Sequence, residues 1–226
     1  MKNPWLDIPL DDYESHMTLP HVGQSQLLSQ LLGEAIESYR PSSIALLGCA
    51  GGNGLERVPS TSVERVVGID INQRYLERTA DRYGDSIPRL ELFAGDLGVD
   101  RFVFEPVDLV FAGLIFEYVD TTKLLKQALS MLTSGGRLVS VVQLPSSIED
   151  VTPSPYTTLK SISSVLHVVS PNKLTALARE TGFDTEAERV VTATGGKAFQ
   201  VNTFRAAMPN NSPQPTPQPG AADFKR

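Results

Sequence analysis

Ile44-Ala45-Leu46-Leu47-Gly48-Cys49-Ala50-Gly51-Gly52-Asn53-Gly54 is the stretch that decides the fold class. Four apolar residues ended by a glycine read as a short strand buried on both faces, the signature of a parallel sheet. The glycines beyond it let the backbone approach a ligand closely. Gly54 to Val58 then reads as a short helix, whose first N–H groups are unpaired and whose dipole end is positive. Arg65-Val66-Val67-Gly68-Ile69-Asp70 reads as a second strand closed by an acid. A carboxylate about twenty residues after such a turn can accept both hydroxyls of a ribose. Turn and acid together point to an adenosine-containing cofactor.

Outward from that unit, strands and helices alternate. Upstream, Leu27, Leu28, Leu31, Leu32, Ala35 and Ile36 recur at helical spacing and predict a helix over 24–39. Downstream, a helix is expected over 72–83, strands over 90–94 and 107–112, a helix over 121–132 and a strand over 137–142. That rhythm predicts a parallel sheet with helices on both faces. Residues 145–169, with Pro145, Pro153 and Pro155, form a long connection of the kind that usually shapes a site. Ser170-Pro171 opens another helix, with serine as cap and proline at the first position, ending at Gly182. Two strands at roughly 184–194 and 197–206, joined at Gly195-Gly196, read as an antiparallel hairpin. Residues 1–22 read as irregular but rich enough in Trp, Tyr and Leu to pack on the domain. The Pro-rich, polar stretch 208–226 reads as a disordered tail. The resulting organisation is a lid segment over 1–22, a domain over 23–207 with a substrate-side insert at 145–169, and the tail.

The bulk numbers exclude several classes. The 226 residues suit a single core. The formal net charge is -6, and the basic residues form no stripe, so a nucleic-acid partner is disfavoured. Cys49 is the one cysteine, which rules out an internal disulfide and suits a reducing compartment. No apolar run reaches the roughly 20 residues of a spanning helix. The expectation is a cytoplasmic protein without a membrane partner, monomeric or homodimeric, with no metal site. A nicotinamide dinucleotide is disfavoured by spacing. G-x-G-x-x-G begun at Gly48 meets Ala50 and Asn53, and begun at Gly52 it meets Arg57.

Five segments in order resemble the motifs of the class I S-adenosylmethionine-dependent methyltransferase family. Leu46 to Gly54 is similar to the first motif. Val67-Gly68-Ile69-Asp70 resembles the second, and Phe93-Ala94-Gly95-Asp96-Leu97 the third. Asp108 to Val119 resembles the fourth-strand segment, and Leu132-Thr133-Ser134-Gly135-Gly136-Arg137-Leu138 the run before the fifth strand. The resemblance implies an α/β fold with a seven-stranded, mostly parallel Rossmann-like sheet and a C-terminal antiparallel hairpin. It implies S-adenosyl-L-methionine as cofactor and a small molecule as methyl acceptor. Two positions depart from the pattern. Leu46 stands where an acid is common, and Ala50 replaces the middle glycine, which is compatible with close approach if its φ is negative.

The resemblance also implies roles. Gly48, Cys49, Ala50 and Gly52 form the cofactor turn. Asp70 binds the ribose, its bland alternative being a cap of the next helix. Asp96 meets the adenine amino group, or is a plain turn residue, and Ile71 and Leu97 flank the ring. Gly113 faces the methionine. Tyr13 touches the methionine end from the lid. Glu117 has three readings: general base, cation binder, or a carboxylate favoured at a helix entry. Tyr118 and His16 complete the candidate catalytic set, His16 having the structural alternative of any lone histidine. Cys49 has no activating partner in sequence and is no nucleophile candidate. His167 and Tyr156 lie in the insert. The fourth strand carries no Asn-Pro-Pro-Tyr-like run, which argues against base amino-group methylation. No acidic pair supports an aminopropyl transferase of the same fold. The alternative of another class is a non-catalytic cofactor-binding module, motivated by Leu46 and the tail.

Overall fold

The computed structural model describes residues 3–207. The Pro-rich tail expected at 208–226 lies outside them. Seven strands form one sheet: β1 (Ser43–Leu47), β2 (Arg65–Asp70), β3 (Arg89–Ala94), β4 (Val107–Gly113), β5 (Leu132–Gln143), β6 (Phe183–Thr192) and β7 (Ala198–Ala206). Their order is β3-β2-β1-β4-β5-β7-β6. β1 to β5 pair in parallel, and β7 runs antiparallel to both β5 and β6. The chain winds outward from β1 through β2 to β3, then returns to β1's other side for β4. Such a reversal leaves a crevice at the carboxyl ends of the strands.

Alternation within β1 builds the two cores. Ile44 and Leu46 face a cluster with Leu28, Leu32 and Ile36 of α2 (Gln24–Tyr39) and Leu76 of α3 (Gln73–Tyr83). Ala45 and Leu47 face the opposite cluster, with Leu124, Leu125 and Ala128 of α4 (Thr121–Met131) and Leu174 of α5 (Pro171–Thr181). A strand covered on both faces has no polar side, which is why the 44–47 run is wholly apolar. Helix entries are set by side chains. Asn72 accepts from the N–H of Arg74 and Asp120 from that of Lys123. Ser170 occupies the expected cap position but makes no side-chain cap bond, leaving Pro171 to open α5 and Gly182, at φ 108°, to end it.

Two expectations are corrected. β5 is about twice as long as its apolar run. It begins at Leu132, directly after α4, and a register irregularity across Val107/Leu109 absorbs the Gly135-Gly136 stretch. The described part of the segment, residues 3–22, is not wholly irregular: Leu10–Thr18 is a helix, α1, preceded by a 3-10 turn at Pro4–Leu6. Leu10, Tyr13 and Met17 stand at i, i+3 and i+7, with Asp11 and Asp12 in the first turn, so the helical signal was present. Its nine residues do not hold a helix alone, and docking supplies the rest.

Candidate active site

One cavity lies over the carboxyl ends of β2, β1 and β4, at the point where strand order reverses. Its floor is sheet. Its roof is the N-terminal segment and residues 150–166. These two clasp each other: Asp12 accepts from Thr158, His16 Nδ1 lies 2.9 Å from Ser154 Oγ, and Ile8, Leu159 and Ile162 share a small buried cluster. The clasp is pinned to the domain by Asn72 donating to the Trp5 carbonyl, Tyr75 to the Ile8 carbonyl, and an Arg82–Glu14 ion pair.

Asp70 ends β2 at one side of this cavity and is 7% exposed. Its Oδ2 accepts from the Ala50 N–H at 2.9 Å and its Oδ1 from the Asn72 N–H at 2.8 Å. Burial pushes its carboxyl up to about 6, against those backbone N–H groups, which hold it down. The glycine turn is fastened to β2 as well, since the N–H groups of Gly48 and Cys49 share the Ile69 carbonyl. Gly48 and Ala50 line the cavity. Ala50 sits at φ 47°, the left-handed region, so the condition of a negative φ is not met. Leu114, just past β4, is at φ 56° and also lines the cavity. Backbone strain of this kind collects at sites where the surroundings over-determine it.

Ile71, Asp96 and Leu97 line the same end, and Gly113 the middle. Asp96 follows β3, with Oδ1 taken by the Gly98 N–H at 2.7 Å. Cys49 and Gly52, expected in the turn's ligand-facing set, do not reach the cavity. The Cys49 side chain is 5% exposed and points into the core against Gly68, and burial raises its thiol pKa. Gly52 is a glycine because its φ is 85° and because a Cβ would meet the Tyr83 ring at 2.7 Å. The short helix after the turn, Leu55–Ser60, is 3-10, and its early N–H groups bond within the turn, that of Leu55 to the Gly52 carbonyl and that of Arg57 to the Gly54 carbonyl. Gly54 N–H donates to Glu56 Oε2, so these groups are not offered to a ligand.

The far end of the cavity is different. Glu117 lies beyond β4 and is 2% exposed. Its Oε1 accepts the backbone N–H of Gln143, the last residue of β5, at 2.7 Å, while Oε2 is buried with no hydrogen-bond partner among the described residues. Burial pushes its carboxyl up to about 7. Tyr118 follows, its ring edge-on to Trp5 at 5.2 Å, and Trp5 is edge-on to Tyr13 at 5.6 Å. Tyr13 and Tyr118 are buried enough that their phenols are held well above the ordinary range. His16 lines the cavity with its pKa lowered, first by burial and then by Lys197 and His21.

Sequence reasoning missed the polar group behind Glu117. Lys197, in the β6–β7 turn, is 2% exposed; its Nζ donates to Gln143 Oε1 at 3.2 Å and to the Asp150 carbonyl at 2.6 Å. Thr152 is buried with its hydroxyl unpartnered among the described residues and, like Gln143 and Asp150, lines the cavity. These residues come from three distant segments, and no local pattern joins them. Tyr156 packs on the lid cluster, and His167 uses its backbone N–H on the Glu117 carbonyl. Among the described residues no group of His, Cys, Asp and Glu could hold a metal, and no helix is long and apolar enough to cross a membrane.

A sheet of this order, with a carboxylate ending β2 and the antiparallel β7 beside β5, is the fold of class I methyltransferases. Residues 46–138 match the family model described as a methyltransferase domain. Solved structures agree in fold. The N-methyltransferase NodS from Bradyrhizobium japonicum, in complex with S-adenosyl-L-homocysteine, is 19% identical with a TM-score of 0.60, over 81% of this chain and 87% of that one. Magnesium protoporphyrin IX methyltransferase from Synechocystis, with bound S-adenosylhomocysteine, is 13% identical at TM-score 0.61, over 81% and 84%. The [4+2]-cyclase SpnF is 14% identical at TM-score 0.61, over 80% and 82%. A cyclase among them shows that the fold alone does not choose the chemistry. No curated protein sequence matches the chain.

Proposed function

We propose that this chain is an S-adenosylmethionine-dependent methyltransferase whose acceptor is a small molecule held in the roofed cavity. The observation that carries the reading is Asp70: a buried carboxylate at the end of β2, tied by the Ala50 N–H to the glycine turn and facing a cavity of matching polarity. Backbone N–H groups hold both of its oxygens in place, and each oxygen keeps a further lone pair for a ribose hydroxyl. When bound, S-adenosylmethionine supplies an electrophilic methyl group. Asp70 holds the ribose, Ile71 and Leu97 enclose the adenine, and Asp96 accepts from its amino group. Gly48, Ala50 and Gly113 admit the amino-acid arm, with Tyr13 over it. Glu117, Tyr118 and His16 stand at the acceptor end, where the clasped roof excludes water. Glu117 is the better base of the two titrating groups, because burial raises its proton affinity and lowers that of His16.

The roof formed by the N-terminal segment and residues 150–166 favours a small acceptor over a protein. Titration calorimetry tests the cofactor half of the reading. S-adenosylmethionine should bind, and Asp70→Ala should weaken it about 100-fold, since each hydrogen bond to a charged group contributes on the order of 1.5–3 kcal/mol. Absence of binding at millimolar cofactor would sink the reading. The alternative of a cofactor-binding module without turnover gains nothing from the cavity, which extends beyond the Asp70 end to a second, chemically distinct one.

A further inference from the structure

Resting on that reading, we infer that the acceptor is an amine on an apolar body, and that Glu117 Oε2 receives its nitrogen. Glu117 is not paired with anything that would neutralise it. Its Oε1 is fixed by the Gln143 N–H, and Oε2 is buried and unpartnered among the described residues. A buried carboxylate oxygen left without a donor is costly, so a ligand donor is the natural partner. The hydroxyl of Thr152, also buried and unpartnered, lies on the same cavity wall. No lysine or arginine lines the cavity, so nothing there favours an anionic acceptor. The remaining walls of this end, Trp5, Tyr118, Leu159, Ile162 and Leu166, suit an apolar body.

The donor's own ammonium is the competing occupant. Glu117 is bonded to the end of β5, three strands along the sheet from Asp70 on β2. At about 4.8 Å per strand that places the two carboxylates on the order of 14 Å apart across the strand direction. The glycine turn at the end of β1 lies next to β2, so the amino-acid arm is met well before Glu117. An ammonium docked at Oε2 transfers one proton to it. The N–H bond breaks, its electron pair stays on nitrogen as the nucleophilic lone pair, and the proton rests on Glu117.

The titratable and charged groups around Glu117 come from every neighbouring element. Tyr118 adjoins it, Tyr13 from α1 and Asp150 from the insert act on Tyr118, His16 from α1 and Glu149 from the insert act on Lys197, His167 donates its backbone N–H to the Glu117 carbonyl, and Lys197 stands behind Gln143. Burial holds the two phenols neutral and His16 uncharged, and it lowers the Lys197 pKa to about 8 although Asp150 and Glu149 favour that charge. Glu117, at about 7, and Lys197, at about 8, are therefore the groups that titrate near neutrality here, and Glu117→Gln separates them.

The test uses the full chain with isobutylamine, phenethylamine and tryptamine, each against its alcohol isostere, with and without S-adenosylhomocysteine, by calorimetry. At least one amine should bind about 10-fold tighter than its alcohol, as a charge-assisted pair requires. That preference should grow as pH rises through about 7, where Glu117 ionises, and should vanish in Glu117→Gln. Equal binding of amines and alcohols overturns the inference, as does a preference that survives Glu117→Gln. If that variant does not fold, the pH dependence of the native chain decides. If Glu117→Gln weakens S-adenosylhomocysteine but leaves 5′-methylthioadenosine unchanged, the carboxylate serves the donor's ammonium and the inference fails. Failure of S-adenosylhomocysteine to bind overturns the cofactor reading instead, and the amine comparison without it still stands.

Discussion

Asp70 and Asp96 divide the work of holding the proposed nucleoside, and single substitutions separate them. Asp70 has both oxygens engaged by backbone N–H groups yet remains at the cavity wall, so it orients without being free to turn. Asp96 is fixed through Oδ1 alone. If it accepts from the adenine amino group, S-adenosylhomocysteine should bind at least about 10-fold tighter than its inosine analogue, since one hydrogen bond to a charged group contributes on the order of 1.5–3 kcal/mol. Asp96→Ala should abolish that difference, read by competitive titration. That Asp70, Ile71, Asp96 and Leu97 line one cavity was legible, because each stands at or just past a strand end and strand ends were visible. Cys49 and Gly52 were not separable from Gly48 and Ala50 in sequence. Alternate residues of a tight turn point to opposite sides, and only the tertiary packing of Gly68 and Tyr83 shows which side is core.

At the scale of elements, the roof is the feature that sequence understated. α1 and the 150–166 stretch share a small apolar cluster, and the N-terminal segment is also pinned to the domain through Asn72, Tyr75 and Arg82. Ile8 is 4% exposed within their shared cluster. Ile8→Ala should remove on the order of 2 kcal/mol of packing there. Since that cluster belongs to the roof and not to the sheet, the melting temperature should fall by only a few degrees. Affinity for S-adenosylhomocysteine should drop several-fold, as calorimetry would show. An unchanged affinity would mean that the roof contributes nothing to binding. The same reasoning explains why the hairpin of β6 and β7 could be read from Gly195-Gly196, whereas its gift of Lys197 to the acceptor end could not. A turn is local, but its docking against Gln143 and Asp150 is not.

For the whole molecule, the site costs stability. Asp70 and Glu117 both have folded-state pKa values above their unfolded ones, about 6 and about 7. Between their unfolded values and these, the folded chain binds more protons than the unfolded one, so stability falls as pH rises. His16, with a lowered pKa, acts in the opposite sense, and Lys197, at about 8, does so only above that pH. With two groups against one, the ligand-free protein should lose stability from pH 5 to 8. Glu117→Gln should flatten that slope and be the more stable form at pH 8, by denaturant titration at each pH. A native-like slope in the variant would show that Glu117 ionises without cost. Binding a cation at one carboxylate and hydroxyls at the other should restore the loss.

The apolar run 44–47, the acid at 70 and the alternation of strands with helices determined the sheet by themselves, because burial on both faces and short connections admit few other arrangements. The glycine turn and the spacing to Asp70 likewise carried the kind of cofactor. Tertiary structure alone decided the far end of the cavity, the proposed acceptor end. Glu117, Thr152, Gln143 and Lys197 meet there from the ends of β4 and β5, the insert and the last hairpin. Whether a carboxylate is a solvated helix entry or a buried, half-partnered group depends on what covers it. Cover is a property of segments distant in the chain, and no local pattern encodes it.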